Sequence, residues 1–296
     1  INNPNTVGVG CNYQHDAIPL AGRSSTQGLP PFIQSFFALI EVENLCLGDG
    51  TTFEFQSDTP PDAVLWEFGD GNTSNLENPT HIYSNAGTFN VVLSLTRGGT
   101  TRIYRKNVQI YETPIANSIR NVAICDTDNN GRELINLDQL VTPLILGSQN
   151  ASLFNVSYFN SQLDADTSRV GLPLQYELNT GQQTLFARIN NINNISCSDT
   201  VSFTLSLFEQ PVANPTANLE ICDDDFDGIS IFNLNDQTPT ILGAQNTTDF
   251  NISYHLSQND ADINLNSLPL TYTNTTPFNE TIYVRIENSL ESICVD

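Results

Sequence analysis

Over several short runs the chain alternates polar and apolar residues, the pattern of half-buried β-strands. NVSYFN (155–160), TLFARIN (184–190) and VSFTLSLF (201–208) all show it. Another such run, Phe89 to Leu95, follows a strand that carries the single tryptophan, Trp66, and a Gly-Asp-Gly turn at 69–71. One segment has a different period. In NLDQLVTPLILG (136–147), Leu137, Leu140, Val141, Leu144 and Ile145 fall at i, i+3, i+4, i+7 and i+8. This spacing predicts a short helix capped by Asn136 and ended by Gly147, with Pro143 working against its continuity.

The same pattern returns further along. ETPIAN (112–117) recurs as EQPVAN (209–214), TPLILGSQN (142–150) as TPTILGAQN (238–246), and FNVSYFNSQLDAD (154–166) as FNISYHLSQNDAD (250–262). LFARIN (185–190) recurs as IYVRIE (282–287), an offset of 97 residues with one lost before Thr238 and one regained before Thr281. Residues 112–208 and 209–296 therefore read as two copies of one unit, each a β-sandwich with a short helix. The second copy stops before a counterpart of TVSFTLSLF (200–208), so it is expected to lack its last strand and the natural chain to continue. A chain without Met that begins at Ile1 is likewise expected to be a processed piece of a longer product.

The six cysteines form no CxxC or CxxH spacing. Cys125→Cys197 and Cys222→Cys294 are both separated by 72 residues, which suggests one bridge inside each copy. Each bridge would be worth about 4 kcal/mol in the chain-entropy model. Cys11 and Cys46 remain and are expected to pair with each other, although either could bond elsewhere. Persistent disulfides point to an oxidising compartment and an exported chain.

Charge narrows the function classes. Thirty-three acidic residues against ten basic ones give a formal charge of −23, with Lys106 the sole lysine. That composition disfavours nucleic acids and anionic membrane surfaces, and it suits the uptake of divalent cations. No apolar run is long enough to span a bilayer, so no membrane insertion is expected.

The nearest approach to site chemistry is CDTDNNG (125–131) and its copy CDDDFDG (222–228). Calcium takes six to eight oxygens, and D-x-D-x-[DN]-G supplies several from one tight loop. Asp126, Asp128 and Asn130, and Asp223, Asp225 and Asp227, are the candidate ligands, with the Arg132 and Ile229 carbonyls next in line. Leu137 and Leu234 stand where an EF-hand has its bidentate Glu, so any further carboxylate would come from elsewhere, with Asp164/Asp166 and Asp260/Asp262 as candidates. The alternative is an Asx-Gly turn without metal. Arg188 and Arg285 occupy matching strand positions and are expected to pair with carboxylates of their own unit, in or near those DAD segments.

Enzyme patterns are missing. His15, His81 and His255 are far apart in sequence, and HExxH, GxSxG and phosphate-loop motifs do not occur, so no catalytic residue is assigned. Tyr158, Tyr176, Tyr254 and Tyr272 suit strand-face packing better than a glycan-binding row.

WEFGDG (66–71), ENPTHIY (77–83) and AGTFNVVL (86–93) occur in order, and this set closely resembles the PKD domain, an immunoglobulin-like β-sandwich, over about residues 35–111. The resemblance implies structural roles for Trp66, His81 and Tyr83 and no catalysis; Asp70 is read as a turn residue. GLPPFIQSFF (28–37) resembles the end of a domain preceding PKD, a β-propeller in some proteins, so residues 1–34 are assigned to the tail of a preceding domain or to a linker. The CDxDxDG…DAD…C repeats resemble modules of large surface proteins of gliding Bacteroidota exported by the type IX secretion system. Together the resemblances imply an all-β series of immunoglobulin-like sandwiches, 35–111, 112–208 and 209–296. They imply a secreted, cell-surface and non-catalytic stalk or adhesin. Its partners would be type IX or outer-membrane components, or a surface ligand such as a glycan. The rival is an accessory or carbohydrate-binding region of a secreted hydrolase.

Overall fold

The computed structural model describes residues 38–296 together with the antiparallel pair β1 (Pro19–Leu20) and β2 (Arg23–Ser24). The expectations for residues 1–34, including the β-propeller ending, and for Cys11 lie outside the described residues, apart from those two strands. Two compact bodies form. Among the described residues, one takes in 38–45, 49–83 and 88–109, and the other takes in 46–48, 84–87 and 110–296.

The first body is a β-sandwich of β3 (Ala38–Glu43), β4 (Thr51–Ser57), β5 (Ala63–Glu67), β6 (Thr73–Ser74), β7 (Thr80–His81), β8 (Gly87–Arg97) and β9 (Thr100–Ile110). One sheet runs β3-β4-β7 and the other β6-β5-β8-β9. The alternation along β8 buries Val91, Leu93 and Leu95 on one face, with Leu93 opposite Trp66, whose ring packs on Phe53 as that of Phe68 does. Trp66 is completely buried, and its Nε1–H donates to the Glu77 carbonyl at 3.3 Å. The Tyr83 hydroxyl donates to the Phe68 carbonyl at 3.0 Å, and burial pushes its pKa well above the usual phenol range. His81 stacks on Phe68 with ring centroids 4.2 Å apart, and its Nε2 lies 2.7 Å from Asp70 Oδ2. Burial raises the Asp70 carboxyl, but hydrogen bonds from Asn72 and the His81 contact outweigh it and hold the group below its ordinary value.

In the second body the first repeat comprises β10 (Val122–Asp126), β11 (Arg132–Asn136), α1 (Leu137–Leu140), α2 (Thr142–Leu146), β12 (Phe154–Phe159), α3 (Gln162–Thr167), β13 (Gln175–Asn179), β14 (Gly181–Asn191) and β15 (Ser198–Glu209). Its larger sheet runs β10-β15-β14-β12, with β10 parallel to β15 and the other pairs antiparallel, and β11-β13 forms the facing layer. The second repeat has β16 (Ile231–Asn233), a 3-10 turn at Leu234–Gln237, α4 (Thr238–Leu242), β17 (Phe250–His255), α5 (Gln258–Asp262), β18 (Thr271–Thr273) and β19 (Tyr283–Asn288). It pairs β16 with β18 and β17 with β19. The fold is all-β and immunoglobulin-like, with short helical turns.

Three expectations are corrected here. The helix expected over 136–147 is two turns. Asn136 caps α1 by accepting from the Asp138 and Gln139 N–H groups, but the helix breaks at Val141 and restarts with Pro143 in the first turn of α2, because proline has no N–H to continue the ladder. Arg188 and Arg285 do reach the DAD segments, yet they bind carbonyls rather than carboxylates there. Arg188 Nη1 donates to the Ala165 and Asp166 carbonyls at 3.2 and 3.1 Å, and Arg285 Nη1 to those of Ala261 and Asp262 at 3.1 and 3.0 Å. The last carbonyls of a helix lack intrahelical partners, and a guanidinium supplies them. The ion pair expected with a carboxylate of the same unit is made by Arg285, though outside the DAD segment, with Glu287 at 2.9 Å.

The third correction concerns the disulfides. Cys125 is bonded to Cys294 and Cys46 to Cys197, while Cys222 is an exposed free thiol. The expected Cys125–Cys197, Cys222–Cys294 and Cys11–Cys46 pairs are therefore not made. The reason lies in the sheet register. Cys125 stands beside Phe208 at the far end of β15, whereas Cys197 immediately precedes the start of that strand at Ser198. Eleven strand residues separate the two positions, about 35 Å at 3.3 Å per residue, far beyond a disulfide's reach. The first repeat thus carries one cysteine at each end of its long sheet, and both bond outside the unit. The equal 72-residue spacing reflects the repeat and not a bridge within it.

Candidate functional site

The two Asp-rich loops close in the same way. Gly131 and Gly228 adopt φ of +84° and +80°, and each donates its N–H to the first aspartate of its loop, Gly131 to Asp126 Oδ2 at 2.6 Å and Gly228 to Asp223 Oδ2 at 2.7 Å. A side chain at 228 would also collide with the backbone of Phe278 and with Pro277 Cβ, 2.8 Å away. Glycine is needed there for both conformation and space.

The loops differ in what faces their carboxylates. In the first, Asp126 is buried, and the Asn130 side-chain amide donates to Asp128 Oδ2 at 2.7 Å while its oxygen accepts from Arg132 N–H at 2.8 Å. The Asn130 amide thus supplies a hydrogen to the Asp128 carboxylate. In the second, residue 227 is Asp and has no hydrogen to give. Asp223, Asp225 and Asp227 each bring an oxygen within 4.8 Å of the others, and they form the one such group of three or more acidic, His or Cys side chains among the described residues. Backbone N–H groups, that of Gly228 foremost, hold Asp223 below the ordinary carboxylate range. Asp225 is raised by its hydrogen-bonding contact with Asp223 and by repulsion from Asp227 and Asp223. Unbalanced negative charge therefore collects in this loop. The DAD pairs lie elsewhere. Asp164 and Asp260 accept from the hydroxyls of Ser161 and Ser257 at the starts of α3 and α5, and Asp166 and Asp262 accept from Gln162 and Gln258.

The first loop sits at the junction between the repeats. Asn129, in the first loop, exchanges two hydrogen bonds with the backbone of Gln210, at 2.8 and 2.9 Å, and Gln210 Nε2 donates to the Val295 carbonyl at 2.6 Å. Beside them the Cys125–Cys294 bridge joins the end of β10 in the first repeat to the C-terminal part of the second. Equivalent amides, Asn191 and Asn288, donate to the Glu112 and Glu209 carbonyls where each repeat begins. Sequence reasoning singled out the loop carboxylates but missed Asn129 and Gln210, because a contact across 81 residues has no local signal. The tyrosines are packing groups. Tyr158 is buried with its hydroxyl on Leu137 and Thr142, and burial pushes it up to about 12.

Covalent bonds that leave each unit for its neighbour, joining immunoglobulin-like sandwiches in series, define a tandem, disulfide-stapled modular protein. Residues 121–211 and 218–296 each match the family model described as the Flavobacterium inter-domain disulphide bond domain, and residues 38–110 match the PKD domain model. The first match covers more than half of the chain, and the chain belongs to that Flavobacterium inter-domain disulphide bond domain family. A microbial collagenase of Vibrio alginolyticus is 43% identical over 54 residues, 17% of this chain and 7% of the collagenase, so the chain spans a small part of that relative. The PKD1 domain of Vibrio anguillarum Epp is 26% identical with a TM-score of 0.23, covering 25% of this chain and 90% of that one. A PKD1 domain from the Vibrio cholerae metalloprotease PrtV is also 26% identical, with a TM-score of 0.22, covering 25% and 93%. PKD and immunoglobulin-like modules with two disulfides fit a non-catalytic extracellular region, and no helix among the described residues is long and apolar enough to cross a membrane.

Proposed function

We propose that this chain is a non-catalytic stalk or adhesion region of a secreted bacterial surface protein, in which each module is covalently tied to the next. The observation that carries this reading is the pair of interlocked bridges, Cys46–Cys197 and Cys125–Cys294. A series of sandwiches joined only by peptide linkers is free to bend, and a second covalent tie at each junction restricts that freedom. Export by the type IX system, attachment or gliding as the use, and outer-membrane components or a surface glycan as partner are part of the proposal. It follows from the resemblance of the repeats to surface modules of gliding Bacteroidota. A structural calcium ion in the second repeat, held by Asp223, Asp225 and Asp227, completes it. The convergence of three carboxylates supports the ion there, and the first loop, with Asp126, Asp128 and Asn130, offers it one carboxylate fewer.

Removing this region from the full-length protein in its own bacterium tests the reading. Loss of surface attachment with any secreted hydrolytic activity intact is the expected result. Intact attachment with lost hydrolysis would transfer the region to the rival role, an accessory part of a secreted hydrolase. The collagenase relative makes that rival specific. Calcium is tested separately by melting the chain in millimolar calcium and in excess EDTA. A rise on the order of a few degrees, absent in Asp223→Ala, is expected, and identical melts would remove the ion from the proposal.

A further inference from the structure

The chain is acidic nearly throughout, but one hairpin reverses the sign. Residues 78–111 contain no Asp or Glu, although the chain has 33, and they hold Arg97, Arg102, Arg105 and Lys106, four of its ten Lys and Arg residues. These four lie on the hairpin of β8 and β9, which turns at Gly98 and Gly99, both at positive φ. Side-chain pairs across it fix the register. Thr96 and Thr101 share a hydroxyl hydrogen bond at 2.8 Å, and the Asn90 amide donates to Asn107 Oδ1 at 3.2 Å. Each β8 residue therefore faces the β9 residue equally far from the turn. Buried Leu95 and Val91 stand opposite Arg102 and Lys106, and half-buried Val92 stands opposite Arg105. Alternation then puts Arg97, Arg102 and Lys106 on the core side of the sheet and Arg105 on its outer face.

β9 ends the order β6-β5-β8-β9, so both faces meet at its rim. Arg102, Arg105 and Lys106 are exposed there. Along the strand Arg102 lies about 10 Å from Arg105 and about 13 Å from Lys106, and Arg97 is its diagonal neighbour at about 7–8 Å. None of the four is ion-paired, since the pairs among the described residues are His81–Asp70, Arg132–Glu177 and Arg285–Glu287. Lys106 Nζ donates to the Ile40 carbonyl at 2.8 Å, a neutral partner. Asp62 reaches the turn, where its carboxylate accepts the Gly98 N–H at 2.7 Å. Glu67 stands on β5 beyond Val92 from Arg105. An anion is therefore favoured along the rim of β9 and opposed on the β5 side. Charges also guard edge strands against pairing. In a chain with about three acidic residues to each basic one, a guard alone would be expected to be acidic.

We propose that the rim of β9 is a binding site for a carboxylated polysaccharide, one containing uronic acid units. Arg102 and Arg105 each present a planar fork that takes a carboxylate through two parallel N–H···O bonds. Ile103, 52% exposed between them, offers an apolar contact to a sugar ring, and Lys106 adds a third charge. Duplex nucleic acid carries one charge per about 1.7 Å and would bring far more negative charge against the acidic remainder of the chain than four cations offset. A polysaccharide with one charge per sugar or fewer does not, and at physiological salt screening confines each interaction to about 8 Å. The inference rests on the surface-glycan partner of the proposed function and names its chemistry.

The test titrates sodium alginate into the labelled, oxidised chain, with EDTA present so that calcium cannot bridge the polymer to the Asp-rich loops. Saturable binding at low salt is expected, weakened at least tenfold in Arg102→Glu/Arg105→Glu. The pair Arg120→Glu/Arg169→Glu, equal in charge change and exposed elsewhere, should bind as the wild type does. Absence of saturable binding overturns the proposal, and so does equal weakening in both pairs. If the first pair fails to fold, Arg102→Gln/Arg105→Gln replaces it under the same criterion. Tighter binding of dextran sulfate or of duplex DNA than of alginate would also overturn it, in favour of a sulfated or a nucleic-acid ligand. Neutral dextran bound as tightly as alginate would strike the anionic ligand and leave a surface glycan as partner. The stalk reading itself stands or falls separately, on attachment after deletion of the region.

Discussion

Replacing Cys125 and Cys294 by Ala removes the bridge between the two repeats and nothing else of comparable size. The bond closes a loop with a sequence separation of 169, for which the chain-entropy expression gives about 5 kcal/mol. That is an upper bound, because the Cys46–Cys197 bridge spans an overlapping stretch and already restrains the unfolded chain. At about 2–4 °C per kcal/mol for a body of this size, the double variant should melt on the order of 10 °C lower. The loss should fall on the second repeat. Its main cluster buries Leu234, Ile241, Tyr254 and Tyr272, whereas the first repeat adds Phe203, Leu205 and Leu207 of β15 to the corresponding set. Calorimetry of the oxidised chain, of the variant and of the chain in a strong reductant measures this, with non-reducing peptide mapping of the wild type as the control. A shift below about 2 °C would refute the assignment of the bridge as a main support of the junction. A peptide map joining Cys125 to Cys197 would refute the topology itself.

Other outcomes follow from single sites. Cys222 should react with a maleimide in the native chain while Cys46, Cys125, Cys197 and Cys294 stay protected until reduction, as read by mass spectrometry; an unreactive Cys222 would contradict its exposure. Asp70 is held below its ordinary pKa in the fold, so its contribution is complete above the unfolded value near pH 4 and is lost as the pH falls through the lower folded value. Melting curves of Asp70→Asn should therefore show a shallower acid limb than the wild type, and an unchanged limb would remove Asp70 from the acid response. Arg285→Ala strips partners from the Ala261, Asp262 and Ser292 carbonyls around a buried guanidinium. It should cost about 2–4 kcal/mol in urea unfolding, and more than Arg188→Ala, whose side chain is more exposed. Tyr83→Phe leaves the Phe68 carbonyl without its hydroxyl donor and should cost about 1 kcal/mol in the same assay.

Much of the fold was legible because it is written at short range. The two-residue period of NVSYFN, TLFARIN and VSFTLSLF marks strands that the structure forms as β12, β14 and β15. Asn136 and Gly147 mark the ends of a helical segment, and the three PKD motifs mark a sandwich. The position of each cysteine within its unit could likewise be read from the sequence. What the sequence did not carry was the partner of each cysteine. Chain separation says how many residues lie between two thiols, not which end of a sheet each occupies. Only the parallel pairing of β10 with β15 put Cys125 a full strand length away from Cys197. The loops follow the same rule. Spacing brought Asp126, Asp128 and Asn130, and Asp223, Asp225 and Asp227, to attention, because alternation and a glycine are local. Whether a carboxylate meets an amide hydrogen, as Asp128 meets Asn130, or another carboxylate, as Asp225 meets Asp223 and Asp227, was decided by how each loop closes in three dimensions.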